Sequence, residues 1–114
     1  APKIGGAKLG NGKRQPADGQ LAGTPSMVFD AVAVVLSDAA GKAMAAEAAA
    51  VDWVRDAFGH LKAIAACNGT REHLFKAAGI RSDKGVVAPE DTAAFIKLAM
   101  TRQWAREPTL RTLP

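Results

Sequence analysis

The stretch Phe29-Asp30-Ala31-Val32-Ala33-Val34-Val35-Leu36 decides the fold class of this chain. After its one Asp it is a continuous apolar run, rich in β-branched residues and short enough to be a single strand. A run of this kind is typical of a strand buried on both faces, and such strands belong to parallel sheets covered by helices. Ser37-Asp38 ends the run and can cap a following helix.

Toward the C-terminus the chain alternates between helical and strand patterns. Asp91 or Thr92 is expected to cap the last helix, whose apolar face extends to Trp104 and which Pro108 ends. Gly41 is a candidate break in the first helix. The predicted elements are a helix over 38–59, a buried strand over 61–67, a helix over 70–78 that ends at Gly79, a strand at 86–87 and the last helix. This order predicts an α/β three-layer sandwich with a parallel sheet.

Toward the N-terminus, residues 1–26 are rich in Gly, Pro and small polar residues. Asn11-Gly12 favours a tight hairpin turn because both residues tolerate positive φ. We predict short, weak strands at 7–9 and 13–15, with an irregular loop as the alternative. The whole chain, 1–114, is expected to be a single domain with a Gly-rich hairpin (1–26) and an α/β core (27–107).

Composition excludes several classes of function. The net charge of +4 comes from scattered Lys and Arg, whereas a nucleic-acid binder gathers cations and aromatics on one face. The short basic clusters at 13–14 and 102–111 are interpreted as solvated faces, with a phosphate-binding patch as the alternative. A single cysteine, Cys67, rules out an internal disulfide and suits a reducing, cytoplasmic compartment. No apolar stretch approaches the roughly 20 residues of a membrane helix. No zinc-ligand spacing and no phosphate-binding glycine loop is present.

Several segments carry a resemblance to a known family. The stretch 17–32, Ala-Asp-Gly-Gln-Leu-Ala-Gly-Thr-Pro-Ser-Met-Val-Phe-Asp-Ala-Val, resembles the flavodoxin-like C-terminal domain of large-subunit monofunctional haem catalases. Residues 60–65, Gly85-Val86-Val87 and the final helix with Trp104 resemble the same domain. The resemblance implies a parent subunit that converts hydrogen peroxide to water and oxygen, contains haem in a separate core and forms a homotetramer.

In that family a strand, a helix and a second strand precede the Gly-rich hairpin. Ala1-Pro2-Lys3 would then be the tail of the second strand, and the chain has no initiator Met. We therefore expect a fragment of a longer catalase subunit, lacking the first strand-helix unit. The apolar edge and face that this unit would cover then require a partner.

Haem chemistry is not expected in this chain. Haem catalases use a proximal tyrosinate, and the sequence contains no tyrosine. Its two histidines, His60 and His73, are expected at surface or boundary positions. The main hypothesis is therefore a structural, stabilising module without cofactor or metal that packs on the catalase core of the same polypeptide.

Cys67 is the one candidate for chemistry of its own. It ends a predicted strand and precedes Asn68-Gly69 and a helix, a strand-turn-helix arrangement in which the helix N-terminus lowers a thiol pKa. The catalase domain is similar to the intracellular protease and class I glutamine amidotransferase superfamily, whose reactive Cys stands at such an elbow. Asn68 replaces the His that many members have there, and an amide cannot act as a general base.

Three interpretations of function remain open at this point, and the first is the structural module, in which Cys67 is a small buried thiol that fills the end of a strand. The second is an independent redox, binding or hydrolase-like protein that uses the Cys67 thiol. A holdase-like chaperone is the third, based on the predicted exposed apolar surface.

Overall fold

A computed structural model describes residues 6–8 and 10–111 of the chain. The hairpin predicted around Asn11-Gly12 is confirmed, because β1 (Ala7–Lys8) pairs antiparallel with β2 (Arg14–Gln15). The Asn11 side chain accepts a hydrogen bond from the Lys13 backbone N–H and stabilises the turn. Leu9, the expected strand tail at residues 1–3 and Pro114 lie outside the described residues.

The central sheet is parallel, as the sequence predicts. Its strands β3 (Ala31–Val34), β4 (Ala63–Ala66) and β5 (Val86–Val87) stand in the order β3-β4-β5. Every residue of β4 is buried, as expected for the middle strand. The expectation that β3 is buried on both faces is wrong: Ala33 is exposed, and Val35 just beyond the strand is 66% exposed. In the described structure β3 is an edge strand, so it has a sheet neighbour on one side only.

The helices lie on both faces of the sheet and make three layers. Ile64 and Ala66 pack into the main core with Val32, Val54 and Phe58. Because successive strand residues point to opposite faces, the intervening residues of β4 face the other way, toward the helix that follows β5. The helices are α1 (Asp38–Ala45), α2 (Ala48–Gly59), α3 (π-helical Thr70–Phe75 continued by α-helical Lys76–Ala78), α4 (Thr92–Ala99) and α5 (Glu107–Leu110).

The single helix predicted over 38–59 is wrong, because two helices occupy it. Alanine favours a helix throughout this stretch and does not indicate where one helix ends and the next begins. The backbone of Glu47 is extended, and this residue reorients the chain between α1 and α2. The bend lets α2 bury Val54, Ala57 and Phe58. Gly41 does not break the first turn; it lies buried inside α1. The predicted cap at Ser37 is confirmed, since its Oγ accepts from the Ala40 N–H.

The predicted last helix is also shorter than expected. Asp91 caps α4, but α4 ends at Ala99, and Trp104 lies in a separate 3₁₀ turn, Trp104–Arg106. Contrary to the prediction, Pro108 does not end the last helix. It lies in the first turn of α5, where its missing N–H costs no intrahelical hydrogen bond. No helix among residues 6–8 and 10–111 is long and apolar enough to cross a membrane.

Candidate functional site

The candidate site lies at the carboxyl ends of the parallel strands, where ligands of open α/β sheets usually bind. A cleft of about 370 Å³ opens there. Cys67 follows β4 directly and lines this cleft. Residues after each strand contribute to the lining, which comprises Leu36, Ala66, Cys67, Asn68, Gly69, Arg71, Ala88, Pro89 and Glu90.

Cys67 occupies the N-cap position of the helical segment that contains α3. The helical backbone begins immediately, at Asn68 and Gly69, and the Cys67 carbonyl accepts from the Arg71 N–H at 3.1 Å. The sharp turn expected at Asn68-Gly69 is therefore absent, because Gly69 has helical torsions of φ −59° and ψ −38°. Gly69 is needed for a different reason: a Cβ there would stand 2.6 Å from the carbonyl oxygens of Leu36 and Ser37.

The Cys67 sulfur is held by the chain that follows β3. The Leu36 N–H donates to Sγ at 3.1 Å, and the thiol can donate to the Leu36 carbonyl at 2.8 Å. The Thr70 hydroxyl donates to the Val34 carbonyl at 2.8 Å beside the neutral thiol, and it lies 3.3 Å from Sγ, so it can donate its proton to the thiolate instead. These bonds connect the ends of β3 and β4 through one sulfur atom.

The pKa of the Cys67 thiol is lowered from its ordinary value. Burial alone would raise the pKa, but hydrogen bonds from the Thr70 hydroxyl and from the backbone N–H groups of Leu36, Thr70 and Gly69 favour the thiolate and outweigh it. The thiolate form is the nucleophilic form of cysteine. The site therefore supports a thiol that ionises more readily than a free cysteine.

The geometry lacks two features of a nucleophile elbow. An elbow holds its nucleophile on a strained turn, whereas among the described non-glycine residues only Leu61 has a positive φ. A general base is also required. His73 hydrogen-bonds Asp38 and His60 follows α2 at the surface, and none of the hydrogen bonds given above brings an imidazole or a carboxylate to Sγ.

Arg71 and Glu90 are cleft residues that the sequence analysis missed. The Arg71 Nε is buried and has no hydrogen-bond partner among the described residues, while Glu90 lines the same cleft. Glu90 follows β5 by three residues, and this position indicates the carboxyl end of the sheet. No sequence pattern indicated that Arg71 lines the cleft, because its position there depends on the start of the helix at Asn68.

The residues of this chain do not fit a haem. No tyrosine is available as a proximal ligand. The Cys67 sulfur already accepts a hydrogen bond from the Leu36 N–H and lies within hydrogen-bond distance of the Thr70 hydroxyl. We therefore derive no peroxide chemistry through haem from these residues.

The fold and the cleft together define a class: a flavodoxin-like α/β module with a parallel sheet and a cysteine at its carboxyl edge. A family model for the C-terminal domain found in long catalases matches residues 4–107, and the chain belongs to this family. It is 38% identical over 117 residues to "Catalase C" of Rhizobium meliloti, covering 97% of this chain and 16% of that protein. It is 31% identical over 117 residues to "Catalase HPII" of Pseudomonas putida, covering 99% of this chain and 16% of that protein. The chain thus spans about a sixth of the length of these relatives.

Proposed function

We propose that this chain is a structural accessory module of a longer haem catalase subunit and does not itself decompose hydrogen peroxide. The parent polypeptide contributes the haem-containing core, and the module packs on that core and supports a homotetramer. The relatives that share this domain are named catalases and are about six times as long as the match. The absence of tyrosine supports the placement of the haem elsewhere.

The observation that carries the proposal is a set of exposed apolar side chains, two of which lie at the ends of β3, an edge strand of the described sheet. Val35 extends from β3 and is largely exposed, and Phe29 just before the strand is 42% exposed. On the C-terminal side Met100 is 80% and Trp104 61% exposed. Large exposed apolar side chains near an unpaired strand edge are typical of an interface. The remainder of the same polypeptide is the occupant that we assign to this surface.

The proposal predicts that Val35→Asp has little effect in the 114-residue chain but destabilises the full-length catalase. In the 114-residue chain Val35→Asp should change the free energy of unfolding by less than about 0.5 kcal/mol, because the side chain is exposed. In the full-length catalase the same change buries an unpaired carboxylate at the interface and should lower the temperature of activity loss and the tetramer fraction. Ala43→Asp, at an exposed position of α1 that is not assigned to this surface, serves as the matched control.

Either of two experimental outcomes would contradict the proposal directly. A Soret band with oxygen release from the isolated 114-residue chain would show that the haem site is here. Equal thermal inactivation and equal native mass of the Val35→Asp and unmodified full-length proteins would show that this surface is not buried. If the isolated chain instead suppresses aggregation of a heated client without ATP, and Val35→Asp abolishes this suppression, the surface serves the holdase-like alternative.

Thiol chemistry at Cys67 is a second candidate, favoured by the cleft and by the lowered pKa. A redox-sensitive or binding thiol is supported better than a hydrolase, since no base among the described residues hydrogen-bonds Sγ. Iodoacetamide labelling against pH tests it: rapid labelling near neutral pH, absent in Cys67→Ser, supports a reactive thiol. Slow labelling with an ordinary pKa leaves Cys67 as a packing residue.

The scattered surface cations suit neither nucleic acid nor a membrane surface, and the single cysteine suits the cytoplasm.

A further inference from the structure

A second group of chemically active side chains lies outside the cleft, where α1 meets α3. The Asp38 and Glu72 carboxylates and the His73 imidazole each offer one ligand atom, and these atoms lie within 4.8 Å of one another. His73 Nε2 and Asp38 Oδ1 are 2.7 Å apart. Asp38 is distant from the other two along the chain, so the sequence spacing gave no sign of the group.

The two elements that bear these residues are packed at a fixed distance. Gly41 of α1 rests on the Gly69 carbonyl oxygen so closely that a Cβ at Gly41 would lie 2.3 Å from it and 3.2 Å from the His73 ring. The Ser37 cap fixes the start of α1, where Asp38 stands. The His73 side chain is only 22% exposed. The imidazole is therefore held in place by packing, while the two carboxylates remain open to solvent.

The set of donors determines the type of cation. One imidazole nitrogen and two carboxylate oxygens suit a borderline divalent ion such as Zn²⁺ or Co²⁺, which accepts nitrogen and oxygen at about 2.0–2.2 Å. A cation at this distance from two ligands separates them by roughly 3 Å, close to the spacing of the His73 and Asp38 atoms. Three protein ligands would leave coordination positions for water.

Lys42 is the neighbouring charge that opposes a cation. Its ammonium lies 3.5 Å from Asp38 Oδ2. Both side chains are well exposed, and exposed pairs of this kind contribute little to stability, so that a cation can displace the ammonium. The His73 contact has to be rearranged as well: Nε2 binds the cation through its lone pair, and the ring proton resides on Nδ1.

We propose that Asp38, Glu72 and His73 form a binding site for one divalent transition-metal cation of the zinc type, with water in its remaining positions. The site clamps α1 to α3 and is separate from the function proposed for the apolar surface. It stabilises the module when loaded, because a ligand that binds only the folded state shifts the unfolding equilibrium.

Titration of the 114-residue chain with CoCl₂ and ZnCl₂ tests the site. We expect saturable 1:1 binding in calorimetry, visible d–d absorption for Co²⁺ and a raised melting temperature with Zn²⁺. His73→Gln and Glu72→Gln should each weaken binding by about tenfold or more. His60→Gln, which changes an exposed histidine outside the group, should leave the affinity unchanged.

Lys42→Ala provides a variant with the opposite sign. Removal of the ammonium beside Asp38 should tighten cation binding several-fold, and this gain cannot arise from damage to the fold. Unchanged affinity in Lys42→Ala would remove Asp38 from the ligand set. Absence of saturable binding, full binding by His73→Gln or Glu72→Gln, or a thiolate-to-cobalt charge-transfer band from Cys67 would each overturn the proposal.

Discussion

Arg106 and Asp83 form a bidentate ion pair that fastens the C-terminal segment to the sheet. The Arg106 side chain is 1% exposed, and its Nε and Nη2 donate to the two Asp83 carboxylate oxygens at 2.7 and 3.0 Å. Its Nη1 donates to the carbonyl oxygens of Phe58 and Lys62 at 3.1 and 2.9 Å. The guanidinium also lies 4.0 Å over the Phe58 ring. Every side of this cation is thus engaged inside the protein.

Arg106→Met should destabilise the chain by about 3 kcal/mol, because it removes the buried cation that pairs with the Asp83 carboxylate and donates to the Lys62 carbonyl. Arg106→Lys should lose an intermediate amount, since an ammonium cannot supply the planar fork. Urea unfolding monitored by circular dichroism measures both. Arg111→Met removes an exposed arginine paired with Glu107 on α5 and should cost less than about 0.5 kcal/mol. An equal loss in the two Met variants would contradict the importance of the buried pair.

Asp83 should make the stability of the chain depend on acid pH. Partial burial would raise the pKa of this carboxyl, but the Arg106 guanidinium and the Gly85 N–H outweigh burial and hold the pKa below its ordinary 3.8. Because the folded pKa is depressed, the contribution to stability is present above 3.8 and is lost as the pH falls through the lower folded value.

Asp83→Asn tests this linkage. Wild type should be more stable than Asp83→Asn at about pH 6, and the difference in unfolding free energy should shrink progressively as the pH falls below 3.8. Urea midpoints measured across this range give the difference. A gap that stays constant with pH would show that the carboxyl keeps the same pKa when folded and unfolded.

Gly41 should not tolerate a methyl group. Gly41→Ala places Cβ against the Gly69 carbonyl oxygen, which is backbone and cannot rotate away. We expect a loss of about 1–3 kcal/mol, as for other overpacked positions. Gly59→Ala is the matched control, because a Cβ there meets nothing within 4 Å at the end of α2. Thermal unfolding should show a lower melting temperature for Gly41→Ala only, and equal temperatures would contradict the close contact.

Thr70 should control the acidity of Cys67. Thr70→Val removes the hydroxyl 3.3 Å from Sγ and should raise the pKa of the thiol, whereas Thr70→Ser retains the hydroxyl and should keep the pKa low. The pH dependence of iodoacetamide alkylation measures the thiol pKa in each variant. An unchanged pKa in Thr70→Val would assign the lowering to the backbone N–H groups alone.

Local pattern was sufficient for the strands and for most helix ends. The apolar run before Ser37 and the run before Cys67 both become strands, and the caps at Ser37 and Asp91 act as predicted. The sequence pattern did not predict the break between α1 and α2, because helix propensity alone does not indicate where a helix changes direction. The alanine-rich stretch is helical on both sides of Glu47. The chain bends at Glu47 because α2 buries Val54 and Phe58 in the core.

The sequence by itself determined the alternation of strands and helices, the parallel sheet and the resemblance to the catalase domain, since these depend on periodicity and on local residue order. Only the tertiary structure decided that β3 is an edge, that Leu36 holds the Cys67 sulfur, and that Asp38 meets His73. Arg106 finds Asp83 for the same reason. The partners in these pairs lie far apart along the chain, and no local pattern encodes which side chains the packing of α1, α3 and the C-terminal turn brings within hydrogen-bond distance.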